Sequence, residues 1–134
     1  MKYYFDTSVW LAYLNSEEFY HKEALLWFEK VKKEGHELYT SDLVDEEMKD
    51  KPPFKEYSAI SGKLCAYSII EKEDLEHAKL LSRRYSMPYE DMAHILHAKR
   101  NGFIAVSADI THWPEIAKLL DFQSFYYISE IYPL

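Results

Sequence analysis

Short apolar runs alternate along the chain with longer stretches whose apolar residues recur at helical spacing. Lys2-Tyr3-Tyr4-Phe5 is the first run and predicts a strand. Thr7 and Ser8 offer hydroxyls to cap a helix through Val9-Trp10-Leu11-Ala12-Tyr13-Leu14. A longer helix is expected from about Glu17 to Lys33, with Tyr20, Ala24, Trp27, Phe28 and Val31 on one face and Gly35 ending it. Leu38-Tyr39-Thr40 reads as a second strand, and Ser41 or Asp42 caps a helix through Met48. The Pro52-Pro53 pair separates that helix from another over Phe54–Leu64, and Ala66–Ile70 is a weak strand. Glu73-Asp74 opens a helix bearing Leu75, Ala78, Leu81 and Tyr85. Pro88 is expected in the first turn of the next helix, which ends near Asn101-Gly102. Phe103-Ile104-Ala105-Val106 is apolar at every position, as suits a strand buried on both faces. Pro114 starts a last helix to about Leu120, and Phe125–Ile128 is a final strand. Strands alternating with helices predict an α/β fold with a mostly parallel sheet.

Size and composition narrow the picture. The 134 residues contain no repeat or linker and suit a single domain over 1–134. A hydrophobic content of 48% supplies a core, which argues against disorder. No stretch approaches the ~20 apolar residues of a membrane helix, and Asp6 comes too early for a secretory signal. A soluble, cytoplasmic domain is therefore expected. The lone Cys65 excludes an internal disulfide framework and a cysteine zinc site, and reads as a small core residue. With 16 Lys plus Arg against 23 Asp plus Glu, the formal charge is −7. That balance argues against a broad basic surface gripping nucleic acid. It leaves room for a nuclease whose positive charge comes from a metal held by carboxylates.

The placement of four acids carries the chemistry. Asp6 closes the first strand and Asp109 lies just past the fourth, in the layer where open parallel sheets bind ligands. Asp6 can equally be a helix cap. With Leu43 at 0° on a helical wheel, Val44 falls at ~100°, Glu47 at ~40° and Met48 at ~140°, whereas Asp45 (~200°) and Glu46 (~300°) fall outside that arc. Glu47 thus shares the apolar face, where a carboxylate needs a partner, a metal or a path back to solvent. Asp91 sits in the first turn of its helix at the edge of the apolar arc, and Glu90, His94 and His97 fall on the polar side. His94 and His97 are three apart, unlike the four of H-E-x-x-H, and read as polar-face or supporting residues rather than ligands. Ser107 can orient a carboxylate or satisfy a strand end. His21, His36, His77 and His112 share no spacing and receive no role. Arg83, Arg84, Lys99 and Arg100 read as solvated helix faces, with phosphate contact the alternative. Clustered acids repel one another without a cation, and Mg²⁺ or Mn²⁺ suits such oxygen ligands.

Phe5-Asp6-Thr7-Ser8-Val9, Thr40 to Met48, Asp91-Met92-Ala93-His94 with Ala98, and Ala105-Val106-Ser107-Ala108-Asp109 together resemble the PIN domain. That family includes toxin ribonucleases of the VapC type from bacterial and archaeal toxin–antitoxin pairs. The resemblance spans the chain in order and spacing. It implies a three-layer α/β/α fold with five strands ordered 3-2-1-4-5, and a Mg²⁺- or Mn²⁺-dependent endoribonuclease. Carried over residue by residue, it gives Asp6, Glu47, Asp91 and Asp109 as catalytic and metal-binding acids, with Thr7 and Ser107 as supporting hydroxyls. It further implies an RNA substrate, an antitoxin partner and a homodimer. Ser107 departs from the more usual threonine but keeps the hydroxyl. The run Asp45-Glu46-Glu47 blurs the second acid, and residues 52–70 carry no interpretable motif. The alternative is a PIN-like module that binds RNA or protein without cutting. A haloacid-dehalogenase-like phosphatase is disfavoured, since Ser8 stands where that family needs a second Asp.

Overall fold

Five parallel strands form one sheet with helices on both faces, ordered β3-β2-β1-β4-β5. The computed structural model describes residues 1–131. The strands are β1 (Lys2–Phe5), β2 (Glu37–Ser41), β3 (Ala66–Ser68), β4 (Ile104–Ser107) and β5 (Phe125–Tyr127). The helices are α1 (Thr7–Leu14), α2 (His21–Lys33), α3 (Asp42–Met48), α4 (Phe54–Leu64), α5 (Lys72–Tyr85), α6 (Tyr89–Asn101) and α7 (Trp113–Leu119), and a 3-10 turn covers Ile128–Glu130.

The central strand shows how the layers arise. Successive side chains of a strand point to opposite faces. Tyr3 and Phe5 pack toward α2, with ring centroids 6.1 Å and 6.4 Å from Trp27, and Phe5 lies 5.0 Å from Phe28. Tyr4 points the other way, 5.6 Å from His94 and 5.4 Å from His97 on α6. Trp10 of α1 joins the first layer against Phe28 and, edge-on, against Tyr57 of α4. Parallel pairing sets Tyr4 beside Tyr39 of β2 and beside Ala105 of β4, so the C-terminal ends of these strands share one edge.

The element boundaries correct several expectations. The cap of α1 is Asp6, whose carboxylate accepts from the Val9 amide, not Thr7 or Ser8. Residues Glu17 to Tyr20 lie outside α2 and form turns, with the Asn15 side chain accepting from the Glu17 amide at 3.0 Å. Pro88 stands one position before α6, in extended conformation. Strand β4 begins at Ile104 rather than Phe103 and reaches Ser107, which carries its polar end into the site. Ile69 and Ile70 lie outside β3, and Ile128 enters the 3-10 turn rather than β5. Gly35 and Gly102 follow α2 and α6 at φ +69° and +67°, a conformation that favours glycine. No helix among the described residues is long and apolar enough to cross a membrane.

Candidate functional site

At the strands' C-terminal edge lies a cavity of ≈ 320 Å³ lined by Asp6, Glu47, Asp91 and Asp109, with Thr7, Ser8, Lys51 and His94 among its walls. Each acid arrives on a different element. Asp6 follows β1, Glu47 lies on α3, Asp91 in the first turn of α6, and Asp109 in the loop between β4 and α7.

Asp6 is buried and fully engaged. Its Oδ1 accepts from the Ser8 hydroxyl and, at 3.3 Å, from the Val9 amide, while its Oδ2 accepts from Ser107 at 2.7 Å. Burial pushes its carboxyl above the ordinary value, against the charge of His94 and these hydrogen bonds. It therefore both caps α1 and lines the cavity. Ser107 also accepts from the Asp109 amide at 3.0 Å, and Ser8 from the Ala108 amide at 2.9 Å, which ties the loop after β4 to the first turn of α1.

Glu47 is held by a relay along the α6 face of the sheet. Its Oε1 accepts from Thr7 Oγ1 at 2.8 Å and from His94 Nε2 at 2.6 Å. His94 Nδ1 lies 2.6 Å from the Tyr4 hydroxyl, which lies 2.8 Å from Ser41 Oγ. Burial favours the neutral acid, but the hydrogen bond and charge of His94, with Thr7, outweigh it and hold Glu47 below its usual range. Burial likewise opposes a charge on His94, yet Glu47 prevails and raises its pKa. The result is an ion pair with a buried histidine and a partly exposed glutamate. His94 and His97 are each 1% exposed, so the polar-side placement from the wheel is wrong: α6 is buried from Met92 through Ala98. The supporting role expected for His94 fits what it touches.

Asp91 and Asp109 form the second half of the site. Trp113 Nε1 donates to Asp91 Oδ1 at 3.3 Å, and the Thr111 and His112 amides donate to Asp109 Oδ1 at 2.9 Å and 3.1 Å. Burial first, then the neighbouring Asp109 carboxylate, push Asp91 up to about 7. Burial acts the same way on Asp109, but the two backbone amides overcome it and keep that acid ionised. Two carboxylates this close share a proton near neutrality unless a cation replaces it.

One ligand atom from each of Asp91, Asp109 and His112 lies within 4.8 Å of the others. The donor set fits a hard divalent cation, because carboxylate oxygens dominate it and one acid needs a counter-charge. His112 was not anticipated from the sequence. A weak signal existed, since it follows Asp109 by only three residues, within the short turn that leads into α7. Lys51, also unanticipated, brings a positive charge to the wall beside Glu47. Arg100 and Lys99 do not face the cavity. Arg100 grips Asp74 of α5 through Nε and NH2 at 2.6 Å and 3.0 Å, and Lys99 donates to the Leu120 carbonyl at 2.6 Å.

Comparison with curated proteins returns no match. Among solved structures, VapC20 of Mycobacterium tuberculosis, described as a sarcin–ricin loop cleaving toxin, is similar at 16% identity, with 81% of this chain and 88% of that one covered and a TM-score of 0.62. VapBC2 of Rickettsia felis, bound to a DNA fragment from its promoter, is similar at 12% identity, with 95% and 98% covered and a TM-score of 0.66. FitAcB of Neisseria gonorrhoeae is similar at 12% identity, with 98% and 100% covered and a TM-score of 0.66. These likenesses establish the fold. Residues 3–119 match the PIN-domain family model, in agreement with the four motifs, and the chain belongs to the PIN-domain family.

Proposed function

We propose that this protein is a Mg²⁺- or Mn²⁺-dependent endoribonuclease, the toxin of a toxin–antitoxin pair. The observation that carries the reading is the meeting of four acids from four separate elements on one cavity at the strand edge. An acidic cavity built this way costs stability on its own, through burial and mutual repulsion. A cation-dependent reaction explains why it is retained. The likeness to VapC20, a toxin that cleaves the sarcin–ricin loop, and to the VapBC2 assembly supports an RNA substrate and an antitoxin partner. The proposal extends to a cytoplasmic protein that acts as a homodimer, as the resemblance of its motifs to PIN domains implies.

In this reading Asp91 and Asp109 hold the cation, with Glu47 and Asp6 completing its surroundings. Bound there, a divalent cation stabilises charge on the phosphodiester and makes an attacking water more acidic. The chain's own residues set the geometry. Ser8, Ser107 and the Val9 amide fix the Asp6 carboxylate, and Thr7 with His94 aims Glu47 with one oxygen left toward the cavity. Lys51 on the rim meets a substrate phosphate.

The test is purified protein on a panel of labelled RNAs with Mg²⁺, Mn²⁺ or EDTA. Cleavage is expected with either metal and absent with EDTA. Asp6→Asn and Asp91→Asn are expected to abolish it while the chain stays folded, since Asn still caps α1 and resembles the protonated acid. Cleavage that persists in EDTA or in both variants overturns the reading. RNA binding with no cleavage under any metal would favour a PIN-fold binder.

A further inference from the structure

We infer that His112 is a nitrogen ligand of the divalent cation at this site, which gives the site a preference for Mn²⁺ over Mg²⁺. The inference rests on the metal-dependent reading of the Asp91–Asp109 pair and adds a residue and a metal selectivity to it.

The geometry points this way on three counts. First, the ring nitrogen of His112 converges with the two carboxylates, all three ligand atoms lying within 4.8 Å of one another. In an octahedron with bonds of ~2.1 Å, adjacent ligands lie ~3.0 Å apart and opposite ones ~4.2 Å. The three atoms, all within 4.8 Å of one another and with His112 Nδ1 and Asp109 Oδ2 at 3.5 Å, are thus close enough for at most a small closing motion to bring them onto one ion.

Second, His112 Nδ1 stands 3.5 Å from Asp109 Oδ2, too far for a hydrogen bond and close to the edge of a coordination polyhedron. The Thr111 and His112 amides meanwhile hold Asp109 Oδ1, which leaves Oδ2 as the oxygen facing the imidazole.

Third, the ring has no hydrogen bond to another side chain or to the backbone among the described residues. His112 precedes α7, yet its side chain makes no capping hydrogen bond, and it is 44% exposed. The other histidine at the cavity, His94, has one nitrogen on Glu47 and the other near Tyr4. His112 is therefore the histidine with a nitrogen to offer. It stands beside Asp109 at the edge of the acidic cavity. Imidazole is a poor partner for Mg²⁺, which favours oxygen and near-ideal octahedra, and a better one for Mn²⁺ and later transition metals.

The experiment uses the full chain and the metals alone, without RNA. Calorimetric titration with Mn²⁺ and with Mg²⁺ is paired with pulsed electron paramagnetic resonance of the Mn²⁺-loaded protein, which detects ¹⁴N bonded to the ion. Wild type is expected to bind Mn²⁺ more tightly than Mg²⁺ and to show the nitrogen coupling. His112→Gln is expected to lose the coupling and about tenfold or more in Mn²⁺ affinity, with Mg²⁺ affinity changed by less than about twofold. The side chain is half-exposed and caps nothing, so the melting temperature without metal serves as a folding control. Mn²⁺ bound tightly with no nitrogen coupling, or with coupling that survives His112→Gln, overturns the ligand assignment and leaves the carboxylate site standing. Failure of both metals to bind wild type overturns the ligand assignment and the metal-dependent reading together.

Discussion

Glu46 and Glu47 are neighbours of identical chemistry, and their surroundings separate them. Successive residues of a helix point ~100° apart, so α3 turns Glu46 to solvent and Glu47 to the cavity, where Thr7 and His94 hold it. Glu46→Gln is expected to leave metal-dependent cleavage almost unchanged. Glu47→Gln removes a charge at constant volume and is expected to slow it by at least about a hundredfold. One cleavage assay on the two variants checks this, and the reverse order would mean that α3 is misregistered. This distinction was legible in the sequence because Glu47 repeats with Val44 and Met48 on a face that the core must cover. The partners of Glu47 were not legible. Thr7 and His94, and the Tyr4 and Ser41 that back His94, lie on four elements, and no local spacing links them. Asp6 shows the opposite difficulty: capping and cavity lining were set against each other, and its two oxygens do both.

At the scale of elements, α6 departs furthest from its periodicity. A helix with histidines opposite its apolar stripe reads as amphipathic, but α6 is covered on several sides, and its histidines find polar partners inside. For His97 those partners dictate the neutral ring. Asn101 Nδ2 lies 3.2 Å from Nδ1, which must accept, and Nε2 donates to Ser68 Oγ at 2.8 Å, while Ser68 itself donates to the Thr40 carbonyl. A proton on Nδ1 would face another donor. Burial, then the charge of His94, accordingly lower the His97 pKa to about 4. The unfolded ring titrates near 6.5. Stability from this group is thus fully present above about pH 6.5 and is lost as pH falls toward 4, because only the unfolded state takes up the proton. The loss is expected to reach roughly 2–3 kcal/mol. His97→Gln keeps polar contacts without titrating, so the gap in melting temperature between wild type and variant should shift against wild type over that window. A gap that does not change between pH 7 and pH 4 would show that the folded ring titrates freely. Short elements proved easier to read: α3, α4 and the strands lie within a few residues of expectation, since Gly, Pro and Ser mark their ends.

For the whole molecule, the central question is how a fold tolerates so much negative charge at one place. Without a cation, Asp91 and Asp109 are held together only by the proton they share and by donors from the protein. A cation that binds the folded state alone stabilises it by mass action, about 2.7 kcal/mol at a hundred times its dissociation constant. Thermal unfolding of wild type is therefore expected to shift upward with Mn²⁺, and that of Asp109→Asn far less. Equal shifts would place the ion elsewhere. The parallel sheet was legible from alternating strands and helices, but its order was not: periodicity says which segments are strands, and only the resemblance to PIN domains said which strands are neighbours.

That order also bears on the chain's own synthesis. Central β1 is the first strand to be made, and Phe5 must wait for Val106 to take its place beside it. Contacts between segments so far apart form late, because a long stretch of chain must be ordered to close them. Asp6 likewise lacks the Ser107 hydroxyl, and the cavity lacks Asp109, until β4 docks. A nascent chain would thus carry three of the four acids, Asp6, Glu47 and Asp91, without a complete cavity. On the proposed ribonuclease reading, that delay would keep the RNA machine that makes the chain out of range until the protein is nearly finished.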